Sequence, residues 1–180
     1  AIGAGSIDFY YRKKDRCRPV LMLLSGIHGQ EVENIAYATS LIKLMETGTD
    51  SLGQERQDLR NKLDKLRLII IPMANPDGRA RTPYDGWVGL PGKEMTKYGQ
   101  GTNKNGELHG WRQSKSIHPM QGDVGILGGY FDDMGVNMQH DEWSSPMSNV
   151  TKAILKLAAE EAPDMIINMH SHNWDPSILP

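Results

Sequence analysis

Three apolar runs, each closed by polar or turn-forming residues, alternate along this chain with stretches of helical periodicity. The runs cover residues 20–25, 66–73 and 165–169. Each run has the length and composition of a buried strand. Apolar residues also recur at helical spacing over residues 31–45, and Gly48 is expected to end that helix. Strands that alternate with helices predict βαβ units, and therefore an α/β fold with a largely parallel sheet.

Other segments carry weaker signals. Residues 7–11 are aromatic and rich in β-forming residues, and we expect them to form a hairpin with the first apolar run. The charged residues 51–65 predict a solvated helix. Ser145 followed by Pro146 is typical of a helix start, with the serine as N-cap, and Pro163 is expected to end that helix.

Residues 79–135 show no clear periodicity, and glycine recurs throughout them. Structureless stretches of this length are uncommon in compact domains and are usually functional loops or disorder. The aromatic residues in this stretch argue against disorder, because disordered segments are poor in aromatics. We therefore expect an ordered loop region that borders a cleft, without helices or strands.

Composition narrows the class of protein. The length of 180 residues fits one domain, and the net charge of −2 argues against a nucleic-acid-binding surface. No apolar run approaches the ~18 residues of a membrane span. Cys17 is the single cysteine, so no disulfide can form within the chain. Because the sequence starts with Ala1 and stops soon after an apparent strand, we expect residues 1–180 to be a single, partial domain.

Candidate metal ligands follow two of the expected strands. His28 and Glu31 come directly after the first run, and the third run leads into His170 and His172. Parallel strands end at the same edge of a sheet, where open α/β sheets bind ligands. Imidazole nitrogens and a carboxylate there can bind zinc. The alternative for Glu31 is a strand-to-helix turn, in which its charge favours the helix N-terminus.

Four segments of the chain read, in order, GIHGQE, ANPDG, GVNMQH and INMHSH, and they fall within residues 26–172. In this order they resemble the zinc carboxypeptidase family of metallopeptidases. The resemblance implies a mixed, mainly parallel sheet with helices on both faces, incomplete at the C-terminus. It also implies one zinc ion, hydrolysis of an amide or peptide bond, and a peptide or acylated amino acid as substrate. A secreted or periplasmic location would be in keeping with the family.

The resemblance also implies the ligand set. His28, Glu31 and His170 would bind the zinc, with water in the fourth position. Side-chain alternation along a strand places His170 and His172 on the same face and cannot choose between them. The resemblance selects His170, because it is the histidine directly before serine.

Arg112, after Trp111, resembles the loop arginine that stabilises the oxyanion in the family. A fixed cation aimed at a developing negative charge lowers the barrier to reaction. The alternative is an ordinary surface arginine. Arg79 and Arg81, just after the ANPDG segment, are competitors for the same electrostatic role.

The sequence departs from the family pattern where the substrate is recognised. Gln139 and His140 stand where the family has an Asn-Arg pair that grips the terminal carboxylate of the substrate, and Asn137 stands in place of an aspartate. Arginine makes two parallel charge-assisted hydrogen bonds to a carboxylate, which histidine cannot reproduce. We therefore expect Gln139 and His140 to bind substrate with little preference for a free carboxylate; an ordinary polar loop is the alternative.

No general base can be assigned from the sequence. The family's catalytic glutamate lies on a later strand than the third ligand, and the chain ends at Pro180 before it. Glu142, Glu107 and Glu94 are carboxylates in expected loops, but none matches that motif. Two alternatives to a peptidase remain: a deacylase of N-acyl amino acids with the same ligand set, and a non-catalytic binding module on the same fold.

Overall fold

The computed structural model describes residues 10–11, 18–85, 90–110, 122–141 and 147–171. Within these residues one sheet has the strand order β1-β3-β2-β4. Its strands are β1 (Tyr10–Tyr11), β2 (Val20–Leu24), β3 (Arg67–Ile71) and β4 (Met165–Asn168). β2 runs parallel to both β3 and β4, and β1 is antiparallel to β3. The predicted α/β class with a mixed, mainly parallel sheet is confirmed.

Five α-helices and one short 3-10 helix connect the described strands. The helices are α1 (Val32–Thr47), α2 (Gln57–Leu63), α3 (Pro76–Ala80), α4 (Gly92–Gln100) and α5 (Asn149–Glu161). The 3-10 helix is Met138–His140. Among the described helices, none combines the length and the apolar character that crossing a membrane requires.

The core lies on both faces of the sheet because successive side chains of a strand point to opposite sides. Met22 and Leu24 of β2 pack with Ile69 and Ile71 on the face that α5 covers. On the opposite face, Leu23, Leu68 and Ile70 pack against apolar residues of α1. Helices therefore cover both faces of the sheet, as predicted.

The end of α1 follows from one glycine. Gly48 has a φ of 80°, in the left-handed region, and its N–H donates to the carbonyl oxygen of Leu44 at 2.8 Å. A side chain at this φ would be strained, whereas glycine adopts it freely and satisfies an otherwise unpaired helix carbonyl. The helix end predicted from the sequence is therefore confirmed.

The predicted hairpin of residues 7–11 is wrong. β1 pairs with β3, with Tyr10 opposite Ile70 and Tyr11 opposite Ile69. β2 cannot accept β1 as a partner, because both of its edges are already hydrogen-bonded, one to β3 and one to β4. The first strand therefore crosses to the outer edge of β3.

The third predicted strand exists, but it is exposed instead of buried. Met165, Ile166 and Ile167 of β4 have 58%, 50% and 40% of their surface exposed. β4 lies at an edge of the described sheet and pairs there with β2 alone. An apolar run indicates a strand, but it does not indicate which faces of that strand are covered by other elements.

Three local predictions are also corrected. α4 lies inside the stretch expected to hold no helix. α2 is shorter than the predicted helix over residues 51–65. α5 begins at Asn149, after the N-cap residue Ser148, whose side chain accepts a hydrogen bond from the N–H of Thr151 at 3.0 Å. Ser145 and Pro146, the predicted helix start, lie outside the described residues.

Candidate metal centre

The connection between β2 and α1 is held by one asparagine of the first helical turn. Oδ1 of Asn34 accepts from the N–H of Gly26 at 3.1 Å, and its carbonyl oxygen accepts from the hydroxyl of Ser25 at 3.0 Å. Its Nδ2 also donates to Oε2 of Glu31 at 3.2 Å. Asn34 therefore fixes the backbone turn and the carboxylate that His28 faces.

A second asparagine ties this connection to two other loops. Nδ2 of Asn75, in the segment after β3, lies within 3.2 Å of the carbonyl oxygens of Ile27, Gly129 and Phe131. Its Oδ1 accepts from the N–H of Gly78 at 2.8 Å, which caps α3. Because the side chain is buried, these bonds are shielded from water and fix the three loops relative to one another.

Close backbone packing follows from this arrangement. Gly29 lies so near the backbone of α3 that a Cβ atom at its position would be 2.0 Å from the backbone nitrogen of Arg79. Its N–H also donates to the carbonyl oxygen of Gly129 at 2.7 Å. Position 29, the first of the two positions between the candidate ligands, is therefore glycine because no side chain fits there.

His28, Glu31 and His170 come together at the carboxyl ends of β2 and β4. One ligand atom of each residue can be chosen so that all of them lie within 4.8 Å of one another. Nδ1 of His28 is 2.7 Å from Oε1 of Glu31, and Nδ1 of His170 is 3.2 Å from Oε2. His28 and Glu31 are buried, and His170 is exposed, so the group opens toward solvent on one side.

The carboxylate of this group is ionised at neutral pH. Burial by itself raises the pKa of Glu31, but the hydrogen bonds from His170 and His28, together with their charges, outweigh it and lower the pKa to about 2. A metal ligand must be deprotonated, so Glu31 can bind a cation over the whole physiological range.

The donor set fits zinc. Two imidazole nitrogens and one carboxylate form the His₂Glu set of catalytic zinc sites, in which a fourth position stays open for water. The open side at His170 leaves room for such a position. Calcium and magnesium prefer all-oxygen sites, which the two histidines do not provide.

The ring of His28 is held by two residues from the loops after α4. Tyr130 stacks on it, with ring centroids 4.3 Å apart and planes inclined by 30°. Oδ1 of Asn137 lies 3.3 Å from Nε2 of the same ring. Burial and the negative charge of Glu31 raise the pKa of Tyr130 to about 12, so its phenol is neutral.

Sequence reasoning missed the role of both residues. Asn137 stood out only as a departure from a family motif, and Tyr130 only as one aromatic among several in a glycine-rich stretch. Neither lies near His28 along the chain. The asparagine follows it by 109 residues.

The residues expected to meet substrate lie next to Asn137. Gln139 is exposed and His140 is half-buried, and both belong to the 3-10 helix. Oδ1 of Asn137 accepts from the N–H of Gln139 at 3.2 Å, so the residue beside His28 also caps the segment with the two candidates. Arg112, the predicted oxyanion residue, lies outside the described residues, as do His172 and Glu142.

The competing arginines are engaged in holding loops. Arg79 donates from its guanidinium to the carbonyl oxygens of Thr82, Pro83 and Tyr84. Arg81 pairs with Asp133 and donates to the carbonyl oxygen of Phe131. Both side chains therefore have structural partners away from the metal-binding group.

Two further carboxylates considered as bases also have local partners. Glu107 accepts from Nδ2 of Asn103 at 2.7 Å, and Glu94 pairs with Lys97 at 3.4 Å. Neither belongs to the His28–Glu31–His170 group.

Comparison with known proteins identifies the family. The zinc carboxypeptidase family model matches residues 3–173, so the chain belongs to the zinc carboxypeptidase family. The expected zinc cofactor is that of the family. Among solved structures, the chain is similar to carboxypeptidase A from Helicoverpa armigera, with 20% sequence identity and a TM-score of 0.45. The similarity covers 87% of this chain and 34% of that one, so the chain spans about a third of its length. A search of curated protein sequences found no match.

Proposed function

We propose that this chain carries the zinc-binding part of a hydrolase that cleaves an amide or peptide bond. His28, Glu31 and His170 would be the protein ligands. The observation that supports the proposal is their convergence within 4.8 Å at the carboxyl ends of two parallel strands. Membership of the zinc carboxypeptidase family supports the metal and the reaction class.

When bound, the zinc supplies Lewis-acid polarisation of the scissile carbonyl and lowers the pKa of a bound water. The chain's own residues prepare the site for it. Glu31 offers an ionised carboxylate, and Asn34 holds that carboxylate through its Nδ2. Tyr130 and Asn137 restrict the ring of His28, so one nitrogen faces the carboxylate and the other faces an amide.

Substrate recognition is proposed to differ from that of a carboxypeptidase with an Asn-Arg clamp. Gln139 and His140 offer an amide and an imidazole, neither of which forms the two-pronged bond of a guanidinium with a carboxylate. Their place directly after Asn137, which contacts His28, supports a role beside the metal. In this proposal Arg112 stabilises the oxyanion. A deacylase of N-acyl amino acids is the alternative that this departure favours.

The test is zinc binding by titration against a chromophoric chelator, with His28→Ala, Glu31→Gln and His170→Ala beside the unaltered chain. The unaltered chain should bind about one zinc, and each variant should lose most of its affinity, because structural and catalytic zinc sites need their full protein ligand set. His172→Ala is the matched control and should bind as the unaltered chain does. Loss of zinc in His172→Ala with retention in His170→Ala would refute the assignment.

A further inference from the structure

His170, the third candidate ligand, follows a strand that pairs with a single neighbour in the described sheet. β4 pairs with β2 alone in the described sheet, and both strands line a groove of about 690 Å³ between the sheet and α1. α1 contributes Tyr37 and Leu41 to the groove, and β4 and the residue after it contribute Ile167 and Met169. The groove separates the strand from the helix that follows the first two ligands, and it ends at His170 and Ser171.

One residue bridges this gap at the metal-binding end. The backbone N–H of Ser171 donates to Oε2 of Glu31 at 3.1 Å. Its hydroxyl donates to Oε2 of Glu33 at 2.8 Å. Ser171 thus binds two carboxylates from the start of one helix, on either side of Val32.

We propose that Ser171 and Glu33 form a positioning pair that holds His170 within reach of the other two ligands. Glu33 would serve as the anchor on α1, and Ser171 would carry the restraint to the neighbouring histidine. This inference rests on the proposed function, since it assumes that His28, Glu31 and His170 bind the zinc.

The direct contacts among the three ligands cannot hold His170 in place once a cation is bound. A carboxylate oxygen only accepts hydrogen bonds, so the contacts of Glu31 with Nδ1 of His28 and Nδ1 of His170 need a proton on each nitrogen. A nitrogen that binds a metal has lost that proton. The bonds of Ser171 use its own N–H and O–H, which metal binding does not remove.

The experiment is a double-mutant cycle on zinc affinity, with Zn²⁺ alone as the probe. Ser171→Ala and Glu33→Ala should each weaken zinc binding about tenfold, the lower end of what partners of metal ligands contribute. The double variant should also lose about tenfold in zinc affinity and no more, because each single change already breaks the same hydrogen bond.

Conservative variants separate the hydrogen bond from simple charge attraction. Glu33→Gln keeps an acceptor oxygen and Ser171→Thr keeps the hydroxyl, so both should retain most of the affinity. Glu46→Gln removes one negative charge from the same helix about 20 Å further along its axis, at 1.5 Å per residue. It should leave zinc affinity unchanged. The melting temperature of the zinc-free protein should be the same in all of these variants.

Equal losses in Glu33→Gln and Glu33→Ala would show that charge alone acts and would overturn the proposal. Additive losses in the double variant would overturn it too, as would unchanged affinity in Ser171→Ala. If Glu31→Gln itself leaves zinc binding intact, the ligand assignment fails, and the proposed function fails with it. Loss in Glu31→Gln with none in the Ser171–Glu33 pair removes this inference alone.

Discussion

Nε2 of His28 lies 3.3 Å from Oδ1 of Asn137, and Nδ1 of the same ring lies 2.7 Å from Oε1 of Glu31. The two nitrogens therefore face different partners. Since an amide oxygen accepts and does not donate, a hydrogen bond to Asn137 places a proton on Nε2, and Nδ1 is the nitrogen that faces the carboxylate of the candidate metal group. A neutral residue thus orients the ring of a candidate metal ligand without adding charge to the site.

Replacement of Asn137 by alanine should weaken metal binding. Asn137→Ala is expected to lower zinc affinity about tenfold, because the ring of His28 loses the partner that orients it. Asn137→Asp keeps an acceptor oxygen at the same place and should retain the affinity. Chelator competition measures both. Affinity in Asn137→Ala equal to that of the unaltered chain would mean that stacking by Tyr130 is sufficient to hold the ring.

Gly29→Ala should destabilise the whole domain. Its Cβ would fall 2.0 Å from the backbone nitrogen of Arg79, and backbone atoms cannot move aside as a flexible side chain does. We expect a loss at the upper end of the ~1–3 kcal/mol typical of overpacking, measured by chemical denaturation of the zinc-free protein.

Gly92→Ala is the matched control for that change. Gly92 begins α4. Apart from its chain neighbours and the nearby backbone of its own helix, no atom lies within 4 Å of an added Cβ. The free energy of unfolding of the Gly92→Ala variant should differ from that of the unaltered chain by less than about 0.5 kcal/mol, as for most surface substitutions. Similar losses at both glycines would show that the close approach at Gly29 is relieved at little cost.

Asp132→Asn should stabilise the protein at neutral pH. Burial raises the pKa of Asp132, and the charges of Asp77 and Asp141 raise it further, against hydrogen bonds from the backbone of Val136 and Met134. A carboxyl with a raised folded-state pKa favours folding in its protonated form. That contribution is complete below 3.8, the ordinary pKa of an aspartate side chain, and is lost as pH rises through the folded-state pKa.

The stabilising effect of Asp132→Asn should therefore fade as the pH falls through the raised folded-state pKa, and it should be absent below 3.8. The asparagine keeps the oxygen that accepts from the N–H groups of Met134 and Val136 at 2.9 and 3.0 Å. Denaturation curves at pH 7 and pH 3.5 check the sign. Stabilisation of equal size at both pH values would exclude ionisation of Asp132 as its cause.

Substrate preference tests the roles of Gln139 and His140. The whole protein should cleave peptides with free and with amidated C-termini with kcat/KM values that differ by less than about tenfold. A charged hydrogen-bonding clamp would instead favour the free acid by about 1.5–3 kcal/mol. The double variant Gln139→Asn with His140→Arg restores an Asn-Arg pair and should increase the preference for the free acid. A strong preference for the free acid in the unaltered protein would contradict the proposal. Faster cleavage of N-acyl amino acids than of any peptide would favour the deacylase.

The sequence predicted those parts of the fold that local pattern determines. β2 and β3 are central and buried, so they appear as continuous apolar runs, and Gly48 marks the end of α1. α4 was missed because its residues are mostly polar or glycine, and tertiary contacts decide whether such a segment is helical. The pairing of β1 with β3 also depends on which edges other strands already occupy.

The site was predictable to the extent that its residues follow strand ends. His28, Glu31 and His170 share an edge because β2 and β4 are parallel, which the βαβ pattern already implied. Tyr130 and Asn137 reach His28 from loops whose course depends on bonds such as those of Asn75. No periodicity in the sequence encodes that course.

The distance along the chain between Glu31 and His170, 139 residues, has a consequence for how the protein is made. A ribosome adds about 5–20 residues per second, so the last ligand emerges roughly 7–28 s after the first two. Until β4 has been synthesised and has paired with β2, the nascent chain presents a histidine and a glutamate without their third member. Assembly of the His28–Glu31–His170 group therefore waits for the synthesis and pairing of β4, and a chain arrested before residue 165 lacks this group.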